Sequence, residues 1–239
     1  MAPTLLACNP ALGPQPTTSQ LYSPNQTTLV MKEKVFSITG EDFTVRTVDG
    51  HDVCHCKGKV VSAHDSKKFT DTNGADLFTL KNKMFALNRS FHGETGRAHH
   101  DFEVKGHWKM IGSRSTVTFK NASDGTDVEL EVKGDWMDKS ADITFAGREV
   151  AKISRSFFNV RQLMGDSQSN KREFNRHAQE RCSNDRLHTL DRRGEAQSLQ
   201  AVQLTDPEQY QVTVAPNVDL SLIAAICVSL DEQQEEAKK

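Results

Sequence analysis

The 239-residue sequence lacks a long hydrophobic run, a strong excess of one charge and any pair of cysteines in C-x-x-C spacing. No stretch approaches the ~18 uncharged apolar residues of a membrane-spanning helix, so the sequence predicts no transmembrane span. Its 30 Lys and Arg against 32 Asp and Glu give a net charge of -2. This balance argues against a nucleic-acid partner, because phosphate contacts need a clustered basic excess.

Cysteine usage indicates a reducing compartment. The five cysteines are odd in number and scattered through a chain too large to need disulfides for its stability. The first residues have no basic region before their short apolar run, so they do not predict a secretory signal peptide. We expect a cytoplasmic protein, with peripheral attachment to membranes left open.

Motifs that would identify an enzyme are missing. The sequence has no G-x-S-x-G nucleophile motif, no phosphate-binding Walker loop and no G-x-G-x-x-G after a strand. We therefore assign no catalytic residue, no cofactor-binding residue and no cofactor.

The N-terminal segment differs in composition from the rest of the chain. Five of the seven prolines fall in residues 1–24, mixed with Ser, Thr, Gln and Asn. Such a stretch buries too little apolar surface to offset the entropy lost on ordering. The composition predicts a disordered N-terminal tail over residues 1–27.

From residue 28 onward, short β-rich runs follow one another at a spacing of about ten residues, with about eleven runs before residue 160. Turn signals such as Asp49-Gly50 separate them, because glycine accepts the positive φ of a tight hairpin. Val128-Glu-Leu-Glu-Val132 alternates strictly between apolar and charged residues, which is typical of a strand with one buried face. Many such strands predict an antiparallel sandwich or a closed barrel.

A strand-free segment interrupts this pattern. Residues 161–200 hold eight basic and six acidic residues, and no Val, Ile, Tyr or Trp. A stretch of this length without periodicity is unusual inside a compact domain, so we expect a disordered insertion over residues 164–206. A genuine insertion and translated intron sequence both fit this composition.

The most apolar segment lies near the C-terminus. Nine of the eleven residues from Leu220 to Leu230 are apolar, and none is charged. The pattern predicts a helix over 217–230, with Pro216 in its first turn and Asn217 or Asp219 capping it. A helix that is apolar all round must be buried all round, and a barrel of about twelve strands is wide enough to hold it. Residues 233–239 would form a solvated charged tail.

Several segments carry a resemblance to a known family: Leu29–Ile38, Phe69–Gly74 with Leu77–Leu80, Glu129–Trp136, Gly147–Arg155 and Tyr210–Glu232. The chain resembles the LURP-one-related family, which belongs to the tubby C-terminal-like superfamily together with the phospholipid scramblases. The resemblance implies an all-β domain over 28–232, interrupted by 164–206, in which an antiparallel tubby-like barrel of about twelve strands surrounds a buried C-terminal helix. Asn217 stands where the family usually has glycine, and asparagine tolerates the same left-handed backbone.

The resemblance supplies no catalytic residue and implies little about activity. Our first hypothesis is a non-enzymatic tubby-like domain that acts as an interaction or membrane-tethering module. Tubby-type domains bind phosphoinositide head groups through surface basic residues, so anionic lipid head groups and a protein are the expected partners. A scramblase-like lipid-handling protein and an enzyme with a site in a barrel mouth are the alternatives. The basic residues considered for lipid contact are Lys57, Lys59, Lys67, Lys68, Lys81, Lys83 and Arg89.

Other candidate sites are weaker. His51, Cys54, His55 and Cys56, with His64 nearby, form the only cluster of metal-ligand type. Two cysteines on one face of a strand more often pack as small buried thiols, and we therefore assign no metal. Further groups favour a solvated surface over a site: His92, His99, His100 and His107, and the carboxylate pair Asp135 and Asp138.

Overall fold

The computed structural model describes residues 4–32, 43–59, 66–83, 90–97, 100–107, 113–135, 139–154 and 209–237. The predicted insertion at 164–206 lies outside these ranges. Within them the chain forms strands and one long helix, in the following order: β1 (Thr27–Lys32), β2 (Phe43–Thr47), β3 (Asp52–Lys59), β4 (Ser66–Asp71), β5 (Asp76–Lys83), β6 (Ser90–Glu94), β7 (Phe102–His107), β8 (Ser113–Lys120), β9 (Asp127–Asp135), β10 (Ser140–Phe145), β11 (Arg148–Ser154), β12 (Gln209–Val214) and α1 (Leu220–Ala237).

The twelve strands form a closed antiparallel barrel, as the resemblance implied. Each strand pairs with the next one in sequence, and β12 closes the ring against β1. The closing pair runs over six residues, from Thr27 opposite Val214 to Lys32 opposite Gln209. Between described residues, β1 pairs with β2 at Leu29 opposite Thr47 and at Val30 opposite Arg46.

The strands form where the sequence alternates. Along β9 the side chains of Val128, Leu130 and Val132 are buried while Glu129 is exposed, as the two-residue period predicts. Gly50 has φ 83° in the turn between β2 and β3, a backbone conformation that glycine adopts without a steric penalty. The predicted hairpin turn at Asp49-Gly50 is therefore confirmed.

Helix α1 fills the interior of the barrel. Leu222, Ile223, Ile226 and Cys227 all have 0% exposure, as expected for a helix surrounded by strands. In the part of the chain that the structure describes, no helix is long and apolar enough to cross a membrane.

The predicted ends of the helix are wrong in two respects. It begins at Leu220, because Asp219 is its N-cap and Asn217 has a left-handed backbone with φ 61°. Pro216 therefore precedes the helix instead of lying in its first turn. The helix also continues to Ala237, so residues 233–237 are helical and not a separate tail.

The predicted disorder of residues 1–27 is also wrong for the part that is described. Residues 4–26, which we call the N-terminal strap, pack on the barrel end where α1 begins. Leu5, Cys8, Leu12 and Leu21 are buried, and Leu12 pairs with Val218 in a parallel bridge. A few spaced apolar side chains and backbone hydrogen bonds to residues 216–219 order the strap despite its polar composition.

Candidate functional site

The two ends of α1 have different chemistry, and each end holds one buried carboxylate. Asp219 precedes the first turn and Asp231 lies in the second half of the helix, with exposures of 0% and 4%. A buried carboxylate needs several hydrogen bonds or a counter-charge to offset its desolvation. The partners of each one therefore define the two ends of the barrel.

Asp219 joins the helix to the strap. Its Oδ1 atom accepts hydrogen bonds from the backbone N–H of Ser221 at 2.9 Å and of Leu222 at 3.3 Å. Its Oδ2 atom accepts one from the backbone N–H of Gln15 at 3.3 Å. Burial nevertheless raises the pKa of Asp219 to about 6, because these hydrogen bonds only partly offset the loss of water around the charged form.

Gln15 takes part in several of the hydrogen bonds that hold the strap. Its side chain donates from Nε2 to the carbonyl oxygen of Leu77 at 3.3 Å and accepts at Oε1 from Arg97 at 2.5 Å. The hydroxyl of Tyr22 donates to the carbonyl oxygen of Gln15 at 2.6 Å. Burial, followed by the nearby charge of Asp219, raises the pKa of Tyr22 well above its ordinary value. The strap is therefore held by hydrogen bonds as well as by its leucines.

Beside the strap lies an open cleft of about 650 Å³. The strap forms one wall, the β2–β3 and β4–β5 turns form the others, and Leu220 at the start of α1 contributes to its lining. We call this the strap cleft. It is lined by Thr18, Ser19, Gln20, Leu21, Ser23, Asn25, Gln26, Thr27, Thr28, Thr47, Val48, Asp49, His51, Asp52, Val53, Asp71, Thr72, Asn73, Leu77 and Leu220.

At the other end of the barrel, Asp231 is paired with a buried lysine. Lys139 Nζ lies 2.6 Å from Asp231 Oδ1, and the hydroxyl of Tyr210 donates to Asp231 Oδ2 at 2.8 Å. Lys139 Nζ also donates to Gln234 Oε1 at 3.1 Å and lies 5.6 Å from the centre of the Tyr210 ring. Burial and the adjacent Asp231 charge raise the pKa of Tyr210 well above its ordinary value.

A second ion pair, between Lys67 and Glu232, lies near the same end of the helix. Lys67 lies opposite Leu80 in the sheet and shares the inward face with it, which explains why its side chain is only 13% exposed. Both pairs tie α1 to strands or turns of the barrel. Both ion pairs are suited to anchoring α1 to the barrel, because each charged group already has an opposite charge as its neighbour.

The cluster of metal-ligand type is dispersed in the structure. Cys54 and Cys56 share the inward face of β3 and are buried, as the sequence predicted, while His55 contacts the hydroxyl of Thr44 at 2.9 Å on the other face. Burial raises the pKa of Cys54 well above its ordinary value, which disfavours the thiolate that a metal needs. His51 lines the strap cleft, and His64 lies outside the described residues. Within the described ranges, no three or more His, Cys, Asp or Glu residues are arranged to hold a metal.

The remaining histidines and carboxylates do not converge on one site among the residues described. His92 lies 3.4 Å from Asp101, and His107 contacts the hydroxyl of Thr116 at 3.1 Å. Of the other residues considered from the sequence, His100 lies just before β7 and Asp135 ends β9, while His99 and Asp138 lie outside the described ranges.

Most of the lysines considered for lipid contact have carboxylate partners. Lys68 pairs with Asp76 at 2.8 Å, Lys81 with Glu94 at 2.6 Å and Lys83 with Glu103 at 3.3 Å. Lys67 faces inward, and neither Arg89 nor the side chain of Lys59 is described. Lys57 is exposed, has no carboxylate partner within the described ranges and lies opposite Lys68 on the neighbouring strand.

Sequence reasoning missed both the strap and the Lys139–Asp231–Tyr210 cluster. Asp231 follows the apolar run directly and reads as the start of a solvated tail, while Lys139 lies 92 residues earlier in a turn. Only the closed barrel brings them together. A charge that directly follows an uncharged, mostly apolar run is the single local signal that could have indicated a buried partner.

Comparisons with known proteins agree with this architecture. The family model described as LURP-one-related matches residues 27–170. The chain is 23% identical to Protein LURP-one-related 15 of Arabidopsis thaliana over 219 residues, which cover 90% of this chain and 83% of that protein. It is 27% identical to Protein LURP1 of the same plant over 134 residues, which cover 54% of this chain and 64% of that protein. An X-ray structure of an Arabidopsis thaliana protein has the same fold, with a TM-score of 0.51 and 17% identity over 93% of this chain and 99% of that one.

Proposed function

This chain belongs to the LURP-one-related family, and we propose that it acts as a non-enzymatic interaction domain whose contacts lie on the outside of the barrel. The observation that carries this proposal is the occupied interior. Residues 220–230 of α1 are buried on every side, so the place where many barrels hold a ligand is filled by the protein's own side chains.

The partners of the buried carboxylates support the same proposal. Asp219 caps α1 and holds the strap, and Asp231 pairs with Lys139 and Tyr210. General acid–base chemistry needs a titratable group within hydrogen-bond reach of a substrate. Here the two most deeply buried carboxylates of the described ranges hold the helix in place.

The proposal is tested by proximity labelling with the full-length chain in plant cells, since the relatives are plant proteins. We expect a reproducible set of labelled neighbours that is absent for the labelling enzyme alone. The variant Ile226→Asp, which places a carboxylate in the barrel core, serves as the unfolded control and should lose that set. Labelling no different from the enzyme alone would contradict the proposal.

Attachment to an anionic membrane surface is a second form of this function, favoured by the exposed Lys57 opposite Lys68. A basic residue near an anionic surface contributes about 1 kcal/mol. In liposome flotation, this form predicts that the protein floats with phosphatidylcholine vesicles containing phosphoinositide, that high salt releases it, and that Lys57→Gln weakens binding.

Lys133→Gln on β9, whose lysine already pairs with Glu131, is the matched control and should leave flotation unchanged. No flotation at low salt would contradict the membrane form and leave the protein-binding form in place.

A further inference from the structure

The strap cleft has a charge pattern that the anchoring roles described above do not explain. Three carboxylates line it, those of Asp49, Asp52 and Asp71, and no lysine or arginine is among its described lining residues. The negative charge of Asp52 is compensated by Arg46, whose Nε atom lies 2.6 Å from Asp52 Oδ1. Asp71 accepts hydrogen bonds from the backbone N–H groups of two residues in its own turn. Asp49 is exposed and has no partner within the ranges described. The cleft therefore presents uncompensated negative charge.

Apolar groups accompany this charge. Leu21, Leu77 and Leu220 line the cleft from its buried side. At its edge Val48 is 40% exposed, and among the described residues Leu6 is the only other large apolar side chain that is exposed. Apolar lining combined with a few well-placed charges is the usual composition of a binding site, and the volume of about 650 Å³ lies within the usual range.

We propose that the strap cleft binds a short basic segment of a partner protein, in which arginine or lysine side chains accompany leucine-sized apolar ones. This inference rests on the interaction function proposed above and names its site. Charge complementarity selects the occupant: the acidic lining repels phosphate and anionic head groups, and the apolar lining gains nothing from a hydrated metal ion. The membrane form of the function would use the Lys57 face instead.

The probe is a short labelled peptide of alternating arginine and leucine, with glutamine–leucine and glutamate–leucine peptides of the same length for comparison. Fluorescence anisotropy with the full-length chain should show saturable binding of the arginine peptide only. Because exposed charges are screened, affinity should fall as salt is raised. Equal binding of the glutamine peptide, or no binding of the arginine peptide at low salt, would overturn the proposal.

Two variants locate the binding. Asp49→Asn removes the charge and keeps a favourable Asn-Gly turn, and Val48→Ser removes the apolar group at the edge. Each variant should lower the affinity for the arginine peptide about two- to fivefold, as expected for the loss of one exposed contact. Glu129→Gln is the matched control, because it removes the same charge from an exposed site on β9, across the ring from β3. A loss of similar size in Glu129→Gln would show that only net charge matters and would overturn the cleft as the site.

Failure of this inference is distinguishable from failure of the proposed function. If proximity labelling recovers a partner set that is unchanged in Asp49→Asn and Val48→Ser, the interaction function stands and the strap cleft is not its site. If no partner set is recovered, the interaction function itself is contradicted.

Discussion

Lys139 and Asp231 form an ion pair with 2.6 Å between Nζ and Oδ1, and their side chains are only 1% and 4% exposed. Ninety-two residues separate the two in sequence. The pair joins a turn of the barrel wall to the central helix. Because both charged groups are removed from water, each needs the opposite charge of the other to offset the cost of its desolvation.

Breaking this pair should be costly. Lys139→Met removes the lysine counter-charge from the buried Asp231 carboxylate, which still accepts the hydrogen bond of Tyr210, and we expect the free energy of unfolding to fall by about 3–5 kcal/mol. Urea denaturation measures the change. Lys133→Met, at an ion pair whose lysine is 57% exposed, should cost no more than about 1 kcal/mol. A similar small loss for both variants would show that the buried pair contributes little.

The apolar side chains of α1 should be sensitive to truncation. Leu222→Ala and Ile226→Ala each leave a cavity in the middle of the barrel, and each should lower the free energy of unfolding by roughly 2–5 kcal/mol. Val48→Ala, at an exposed site, serves as the comparison in the same urea titrations. Losses below about 1 kcal/mol in both helix variants would contradict close packing around the helix.

The strap should contribute to stability through its buried leucines. Leu12→Ala removes a side chain that is 2% exposed and should cost roughly 2–5 kcal/mol. Leu6→Ala makes the same chemical change in the same segment at a side chain that is 70% exposed, and it should stay within about 0.5 kcal/mol of the wild type. Thermal unfolding measures both. Equal effects would indicate a strap that does not pack on the barrel.

The titration of Asp219 should appear in the pH dependence of stability. Its pKa is raised from an ordinary 3.8 to about 6 in the folded protein, so between these values the folded state holds a proton that the unfolded state has released. The stabilisation is fully present below about pH 4 and is lost as pH rises through about 6, with a total on the order of 2–3 kcal/mol. Asp219→Asn cannot titrate, so wild type should lose stability relative to this variant across that window. A constant difference would contradict the raised pKa.

The sequence predicts those features that depend on local pattern. Alternation along β9, glycine in the β2–β3 turn and the uncharged, mostly apolar run at Leu220–Leu230 each correspond to one element of the barrel. The strap could not be predicted, because its composition is that of a disordered segment and its order comes from contacts with residues 216–219 at the other end of the chain.

The strap cleft could not be predicted either. It is formed by four separate segments, namely residues 18–28, 47–53 and 71–77 and Leu220, and the register of the barrel alone decides that Asp49 and Asp71 line the same space. The local pattern predicts the Asp49-Gly50 hairpin correctly. It does not indicate that the Asp49 carboxylate lines a cleft together with apolar residues.

Hydrogen–deuterium exchange on the full-length protein tests the central claim, that α1 fills the barrel and is part of its core. The account predicts that amides of residues 222–230 exchange only through global unfolding, at the same free energy and with the same urea dependence as the most protected strand amides. Fast exchange in these residues while the strands stay protected would contradict it, because the helix could then leave a barrel that stays folded without it.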